Sequence, residues 1–403
     1  MWCLMSVMVA TWPVQRAKSS TWPVQRAGAI RRVLGLPHFN GWCVRSTEAD
    51  GATTAAIIGS FTRGRKTEHL VALLKRSSSG ETTSAQRLVA DAVVGGQQFL
   101  WRSESTGALW LDDSGEVLHC RLRLQEKDFS SDGQPEGDVV LRDPSLLSSF
   151  ISEKESLSVD LRVDAARSKK SFDAEGWLGK RPYRWILPCR YHVWTLESPA
   201  VVDGKSAVAH VEYNCGSAFP KNWIWSQAHN VRGRSAFLLV GGDFLPDVAR
   251  WGRGFSDNGD KKNEKKKQQT KKKKRDQRRT WLLAFRSPVL GDMNFRTIDA
   301  KTAAVDSTVD PAAGQLRLSL RNEKHLVDVL ITASPASFFA DRLFVPTPRG
   351  FSNDPGSKES FAATVQVKVY EPKDDGFQSF RLVEARSFHN AALEFGGAFL
   401  KDQ

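Results

Sequence analysis

The stretch 210–230, HVEYNCGSAFPKNWIWSQAHN, combines aromatic rings, a Gly/Pro bend and uncharged polar side chains within one short segment. Its ring-bearing members are Phe219, Trp223 and Trp225, and its uncharged polar members include Asn214, Ser226, Gln227 and Asn230. Rings that offer apolar faces, together with a few polar groups that orient one end of a ligand, are typical of a small-molecule site. A Trp-rich core strand entered through a Gly-Pro turn has the same composition, so the segment predicts either a ligand pocket or a core strand.

The sequence lacks the motifs of several other common chemistries. It contains no Gly-x-Ser-x-Gly nucleophile elbow, no P-loop and no Rossmann glycine pattern after a strand. The pairs Gly241-Gly242 and Gly396-Gly397 stand alone and indicate bulges or tight bends rather than phosphate cradles. The five cysteines form no Cys-x-x-Cys pair and the eight histidines are scattered, so we expect no metal site and no cofactor.

Nine residues in this segment also follow a recognisable order and spacing. They are Glu212, Asn214, Gly216, Phe219, Pro220, Trp223, Trp225, Gln227 and Asn230. This pattern resembles the motif of the tocopherol cyclase family, Glu-Lys-Asn-Trp-Gly-Gly-Gly-Phe-Pro followed by Trp-Phe-Trp, Gln and Asn. Residues 38–42 and 391–397 resemble the family's early Phe-Glu-Gly-Trp and late Ala-Ala-Val-Glu-(Ile/Val)-Gly-Gly, so the resemblance spans 38–400. The chain departs from the motif at Tyr213, Cys215 and Ser217-Ala218, where the family has Lys, Trp and Gly-Gly.

The resemblance implies closure of a chromanol ring on a prenylated hydroquinone. A proton is added to the double bond nearest the ring, a tertiary carbocation develops, and the phenol oxygen captures it. The site must therefore hold a general acid, have electron-rich walls that tolerate the cation, and exclude water.

The acid that we favour is Glu212, which lies within the motif among apolar neighbours that would raise its pKa. Glu394, in the late Ala-Ala-Leu-Glu-Phe-Gly-Gly stretch, is the second candidate, and His210 and Asp243 are weaker ones. A partly buried ion pair with Arg190 would explain Glu212 without any chemistry.

The remaining positions of the motif supply candidate substrate contacts. Asn214 and Gln227 could hold the hydroquinone oxygens or could cap turn backbone instead. Trp194, with Trp185 and the motif tryptophans, could stack on the ligand or simply fill the core.

Net charge is +13, but most of it lies in one segment. The run Lys261–Arg279 holds twelve Lys and Arg against Glu264 and Asp276, a net charge of +10. Such a run repels itself and buries nothing, so we expect a disordered basic insertion over 256–279. It would serve nuclear import, contact an anionic surface such as lipid headgroups, or simply be solvated. Nucleic acid is not the partner that we favour.

Residues 1–36 read as a leader. No acidic residue precedes Glu48, whereas arginines recur, which is typical of organellar transit peptides. TWPVQRA occurs twice within this stretch, and two copies cannot build a repeat fold. With the resemblance, the leader favours a plastid location. The odd number of cysteines indicates a reducing compartment, so cytoplasm or, through the basic run, nucleus are the alternatives.

The dominant hydrophobic period of the chain is two. Apolar residues alternate with polar ones in 118–124, 157–163, 316–320 and 365–369, as in half-buried antiparallel strands, while Ser84 to Val94 is the best candidate helix. We therefore predict an all-β protein with few helices. Its 403 residues suit two lipocalin-like antiparallel β-domains, placed at 37–199 and 200–403.

Three functions remain open at this stage. The first is a cyclase that acts on a prenylated hydroquinone or similar lipid, with a peripheral membrane surface as a further partner. The second is a β-protein that binds a hydrophobic ligand without turnover, and the third is a nuclear or nucleic-acid-associated protein that uses the basic run. No apolar run approaches the roughly 20 residues that a membrane-spanning helix needs.

Overall fold

The computed structural model describes residues 36–95, 99–112, 114–125, 156–164, 189–230, 234–243, 279–298, 301–373 and 379–401. Three predicted features lie outside these ranges. They are the leader except for its last residue, Leu36, the residue Trp185, and the basic insertion except for Arg279.

Eleven strands within the described ranges form a first antiparallel sheet. They are β1 (His38–Glu48), β2 (Thr53–Arg63), β3 (Lys66–Arg76), β4 (Thr82–Val89), β5 (Val93–Val94), β6 (Phe99–Ser103), β7 (Gly107–Leu111), β8 (Val117–Gln125), β9 (Ser156–Asp164), β10 (Cys189–Val202) and β11 (Lys205–Gly216). Their order across the sheet is β4-β3-β2-β1-β11-β10-β9-β8-β7-β6-β5. β1 and β11, the first and last of these strands along the chain, therefore pair with each other in the interior of the sheet. β4 also contacts β8, seven places away, because the sheet curls.

The second antiparallel sheet is formed by the rest of the described chain. Its strands are β12 (Asn222–His229), β13 (Ala236–Gly242), β14 (Thr280–Ser287), β15 (Gly291–Arg296), β16 (Ala303–Asp310), β17 (Gln315–Arg321), β18 (Leu326–Thr332), β19 (Leu343–Thr347), β20 (Gly350–Pro372) and β21 (Phe380–Gly397). Their order is β15-β14-β13-β12-β21-β20-β18-β17-β16, and β19 pairs with β20. Short 3₁₀ turns lie at Pro335–Ser337 and Ala398–Leu400.

The prediction of an all-β chain built from two antiparallel sheets is confirmed. The four alternating segments lie in β8, β9, β17 and β20. The predicted helix over Ser84 to Val94 is wrong, because these residues contribute to β4 and β5. β4 pairs with β3 from His69↔Val89 to Arg76↔Thr82, and Ala85 and Val89 are buried. Cross-strand pairing and burial thus outweigh the local helical pattern.

The three largest of four hydrophobic clusters among the described residues form three layers. One lies within the curl of the first sheet and includes Val44 and Leu161, and another lies against the outer face of the second sheet and includes Phe285 and Val367. The third lies between the sheets and includes Tyr191 and Trp225. Because the second sheet is covered on both faces, every residue of β12 and β13 is buried.

The change of sheet occurs in the short connection between β11 and β12, residues 217–221. The sequence placed the boundary at 199/200, which lies inside β10. β10 and β11 pair from Cys189↔Gly216 to Val202↔Lys205, so both belong to the first sheet.

In the part of the chain that the structure describes, no helix is long and apolar enough to span a bilayer.

Candidate functional site

A cavity of about 110 Å³ lies between the two sheets. That volume equals roughly 7 to 11 water-sized spheres, enough for a ring-sized part of a ligand. The lining is mostly apolar, and the charged side chains among its residues are Glu212, Glu359 and Glu394.

Two rows of cross-strand neighbours form the facing walls. In the first sheet Glu212 pairs with Cys43, and Cys43 pairs with Ile57 on the next strand. In the second sheet Trp225 pairs with Glu394, and Glu394 pairs with Glu359. Side chains directly opposite each other on neighbouring antiparallel strands project to the same face, with Cβ atoms roughly 4.5–5.5 Å apart. The register thus brings carboxyl groups from residues far apart in sequence to one cavity.

Aromatic rings line one end of the cavity. Phe219 contacts Phe39 edge to face at 5.3 Å between ring centroids and Trp223 at 5.1 Å. Phe351 lies 6.3 Å from Phe61 in the same manner, and its backbone N–H donates to Glu68 of the first sheet at 3.3 Å. Phe219 and Phe351 are only partly buried. These rings form an apolar rim at one end of the cavity, and the Phe351–Glu68 hydrogen bond connects the rim to the first sheet.

Trp223 owes its position to a glycine. It pairs across strands with Gly396, and a Cβ on Gly396 would lie 2.0 Å from the Trp223 ring. Gly241 accommodates Trp281 in the same way, at 2.2 Å. The Gly-Gly pairs were predicted to mark bulges or bends. Gly397 does make a bend, with φ of 66°, but Gly396 and Gly241 provide space for an indole ring.

Glu212 is surrounded by hydrogen-bond donors. Its Oε2 accepts from Trp225 Nε1 at 2.9 Å, from His210 Nε2 at 3.1 Å and from the Tyr191 hydroxyl, and its Oε1 accepts from Asn214 Nδ2 at 3.2 Å. A carboxylate ion can only accept hydrogen bonds, and in all four contacts Glu212 is the acceptor. Burial, and then the nearby Glu212 charge, raise the pKa of Tyr191 well above its usual value, so Tyr191 stays a donor. The arrangement suits a fixed negative charge.

Glu394 has different surroundings. Its Oε1 accepts a hydrogen bond from Trp223 Nε1 at 2.9 Å. Its pKa is raised to about 7. Burial is the largest cause; hydrogen bonds from Trp223 and Ser357 lower the pKa, and the charge of Glu212 raises it. Glu394 therefore exchanges a proton near neutral pH, which suits a general acid.

Glu359 is the third carboxyl group and was not predicted to be a site residue. It is 3% exposed, and burial raises its pKa well above the usual range; Glu394 and Glu212 raise it further, and Arg45 lowers it. Among the described residues no donor lies within hydrogen-bond distance of its carboxyl group.

The predicted substrate-binding residues do not all reach the cavity. Asn214, Phe219, Trp223 and Trp225 line it, as do both predicted acids. Gln227 and Trp194 do not, although Gln227 is on the same face of β12 as the two tryptophans.

Gln227 belongs instead to a buried polar cluster between the sheets. Its Oε1 accepts from Arg45 Nη1 at 2.5 Å, and its amide contacts His229 Nδ1 at 3.0 Å. The other Nη of Arg45 donates to the backbone oxygen of Asn390, and the guanidinium lies 5.1 Å from the centroid of the Phe361 ring. Gln227 thus pairs with a buried cation that joins β1 to β12 and does not line the cavity where a hydroquinone oxygen would lie.

Trp194 packs in the core of the first sheet, 6.3 Å from Trp42. The weaker acid candidates are also outside the cavity lining. His210 is fully buried behind Glu212, and Asp243 follows the end of β13, where its backbone N–H donates to Asn222 Oδ1 at 3.3 Å. The Glu212 carboxylate contacts Tyr191, His210, Asn214 and Trp225. The predicted ion pair with Arg190 is not among these contacts.

The described residues show no cluster of three or more His, Cys, Asp or Glu side chains that could hold a metal ion. Cys43 lines the cavity as a free thiol, and burial raises its pKa well above the usual value, so it stays protonated and is a poor nucleophile.

No family model matches the chain, and no curated protein matches it. Solved structures give distant likenesses. Kievitone hydratase from Nectria haematococca matches with a TM-score of 0.39 at 9% identity, over 92% of this chain and 91% of that one. A putative AttH from Nitrosomonas europaea matches at 0.39 and 10%, over 91% and 95%. CghA with Sch210972 matches at 0.41 and 11%, over 89% and 87%. At these scores none of the likenesses bears on function.

Proposed function

We propose that this protein is an acid-catalysed cyclase of the tocopherol cyclase type, which closes a chromanol ring on a prenylated hydroquinone. The observation that carries the proposal is Glu394, a carboxyl group with a pKa of about 7 in an aromatic-walled cavity between two sheets. A proton donor, electron-rich walls and exclusion of water are the three requirements of this reaction. Glu394 supports the first and the aromatic rings of the lining support the second.

Glu394 starts the reaction by protonating the alkene carbon nearer the ring. The electron pair of the double bond forms the new C–H bond and leaves a tertiary cation at the other alkene carbon. The phenol oxygen attacks that cation, and its proton returns to the Glu394 carboxylate. Atoms and charge balance, because the product is an isomer of the substrate and Glu394 is regenerated.

Walls of the cavity stabilise the cation without reacting with it. The indole rings of Trp223 and Trp225 offer π faces, which attract cations by about 0.5–2 kcal/mol each. Cys43 and Cys189, the two cysteines in the lining, are held as thiols because burial raises the pKa of each. Phe39, Phe219 and Phe351 pack together as an apolar rim at one end of the cavity.

Glu212, the acid that the sequence favoured, takes a different role in this proposal. Its four donor contacts support a fixed negative charge opposite the cation and an anchor for the Trp225 indole. Electrostatic groups that are held in place before the reaction need no reorganisation when charge develops.

We also propose that the substrate reaches the protein from a membrane surface, since a prenylated hydroquinone partitions into lipid. We propose a plastid location on the basis of the proposed reaction and of the acid-poor composition of residues 1–36, with cytoplasm or nucleus as alternatives. Expression with a fluorescent protein at the carboxyl terminus would locate the chain.

The test is turnover of a prenylated hydroquinone by purified protein under anaerobic conditions. Chromatography and mass spectrometry should find a product of unchanged mass that has lost one phenol and one double bond. Protein that binds the hydroquinone but never converts it would support the non-catalytic binder instead. Glu384→Gln is a matched control: Glu384 is buried on the same strand as Glu394 but accepts from Ser287 and Arg386 and does not line the cavity.

A further inference from the structure

The carboxyl groups of Glu212, Glu384 and Glu394 accept hydrogen bonds within the described part of the fold. Glu212 accepts from four donors, and Glu384 accepts from Ser287 Oγ at 2.5 Å and from Arg386 Nε at 2.7 Å. Glu394 accepts from Trp223. Glu359 is as deeply buried, yet none of the described residues gives its carboxyl group a hydrogen bond.

An unpaired polar group inside a protein costs about 1–3 kcal/mol, so its presence needs a reason. Packing does not require it, because a leucine or methionine would fill the same space without that cost. Two polar neighbours bear on Glu359. Ser360 Oγ contacts Ser337 Oγ at 2.8 Å and accepts from the Ala362 N–H at 3.2 Å. The buried Arg45, whose charge acts on Glu359, donates through both Nη atoms to Gln227 and Asn390, and its Nε has no hydrogen-bond partner among the described residues.

Glu359 faces the cavity rather than the solvent. It lines the cavity wall on β20, directly across from Glu394 on β21, and only 3% of its surface is exposed. A group in the cavity is therefore within its reach. A protonated carboxyl group offers one O–H donor and keeps an acceptor oxygen.

We propose that Glu359 is a ligand-binding residue whose carboxylic acid donates a hydrogen bond to a ring oxygen of the ligand. The cavity then selects for oxygen-bearing rings over hydrocarbons of the same shape. Burial and the two nearby carboxyl groups raise the pKa of Glu359, which supports the neutral donor form. The inference relies on the proposed function for the location of the ligand, and assigns to Glu359 a role in orientation rather than in proton transfer to carbon.

The experiment compares two probes that differ only in their oxygens: 2-methyl-1,4-naphthoquinone, whose carbonyls only accept, and 2-methylnaphthalene. Equilibrium dialysis at pH 6 gives the Kd of each for wild type, Glu359→Leu and Glu359→Gln. Wild type should prefer the quinone by at least about tenfold, the size of one hydrogen bond to a buried group. Glu359→Leu should lose that preference while its Kd for the hydrocarbon changes less than about threefold. Glu359→Gln keeps an N–H donor and should retain most of the preference.

Three results would overturn the inference: a wild type with no preference for the quinone, a Leu variant that keeps the preference, or a Leu variant that loses both probes equally. Turnover decides the proposed function separately. A Glu359-dependent preference in a protein that converts no hydroquinone would leave this inference standing and reject the cyclase.

Discussion

Glu212 and Glu394 face one cavity but have opposite surroundings. Four donors hold Glu212, whereas Glu394 has a pKa of about 7 because burial outweighs its contacts with Trp223 and Ser357. Both residues were predicted as acids from their place in the cyclase-like motif. The order of preference could not be predicted, because the donors that surround Glu212 include Tyr191 and Trp225, which reach it from other strands.

Activity should depend on the protonation of Glu394. A general acid works only in its protonated form, so kcat/KM should be constant below pH 6 and fall about tenfold per pH unit above the pKa of about 7. Glu394→Gln should lower kcat by roughly 10²-fold or more and abolish that inflection. Steady-state rates between pH 5 and 9 provide the measurement. Glu384→Gln, the matched control, should keep both rate and inflection; an unchanged profile in Glu394→Gln would exclude the residue as the acid.

Glu212→Gln should reduce stability together with activity. The amide would place an N–H donor against donors from Trp225, His210 and Tyr191, leaving buried groups unpaired at a cost of about 1–3 kcal/mol. Urea unfolding followed by Trp fluorescence measures the loss. If the variant keeps wild-type stability, the four donors do not hold Glu212 as described. If its pH profile also loses the inflection given to Glu394, Glu212 is the acid and the role given to Glu394 fails.

At the scale of strands, register decides which side chains meet. The period-two pattern of β20 places Val365 and Val367 in the outer core of the second sheet. Register shifts between Ser360 and Val365 turn the strand, so that Phe361 and Glu359 face the first sheet instead. An alternation read from sequence cannot show such a shift, which explains why Glu359 was missed.

The two Trp-over-Gly contacts allow a test of strand geometry. Gly396→Ala and Gly241→Ala each place a methyl group within about 2 Å of an indole ring, so both should lose roughly 1–3 kcal/mol of stability. Only Gly396→Ala displaces Trp223 and its hydrogen bond to Glu394, so only that variant should also lose ligand affinity. Urea unfolding and equilibrium dialysis measure the two effects. Equal affinity losses in both variants would show that the Trp223 contact has no specific role.

At the scale of the whole molecule, composition and periodicity predicted the all-β architecture but not the position at which the chain passes from one sheet to the other. Alternating segments such as 118–124 and 316–320 were enough to predict two antiparallel sheets. The predicted seam fell within β10, because nothing in the local pattern distinguishes strands of one sheet from strands of the next. The motif that spans the end of β11, the change of sheet and β12 contributes six of the residues that line the cavity, which are Glu212, Asn214, Phe219, Pro220, Trp223 and Trp225.

Deletion of 261–278 should leave the fold intact. β13 and β14 pair directly, with Gly242 opposite Thr280, so the chain leaves and re-enters the sheet at neighbouring points. A shorter connection lowers the entropy cost of closure slightly. Arg279, 4.8 Å from the centroid of the Phe399 ring, is retained. Thermal unfolding should show a Tm within a few degrees of wild type; a larger drop would mean that the basic segment contributes to the fold.

The central claim is proton transfer to carbon in the cavity, and turnover in D₂O tests it most directly. If Glu394 protonates the double bond, each chromanol should carry one deuterium, located at the ring carbon next to the new tertiary C–O carbon. The rate of incorporation should fall by roughly 10²-fold in Glu394→Gln and stay unchanged in Glu384→Gln. Chromanol without that deuterium, or equal incorporation by wild type and Glu394→Gln, would contradict the account.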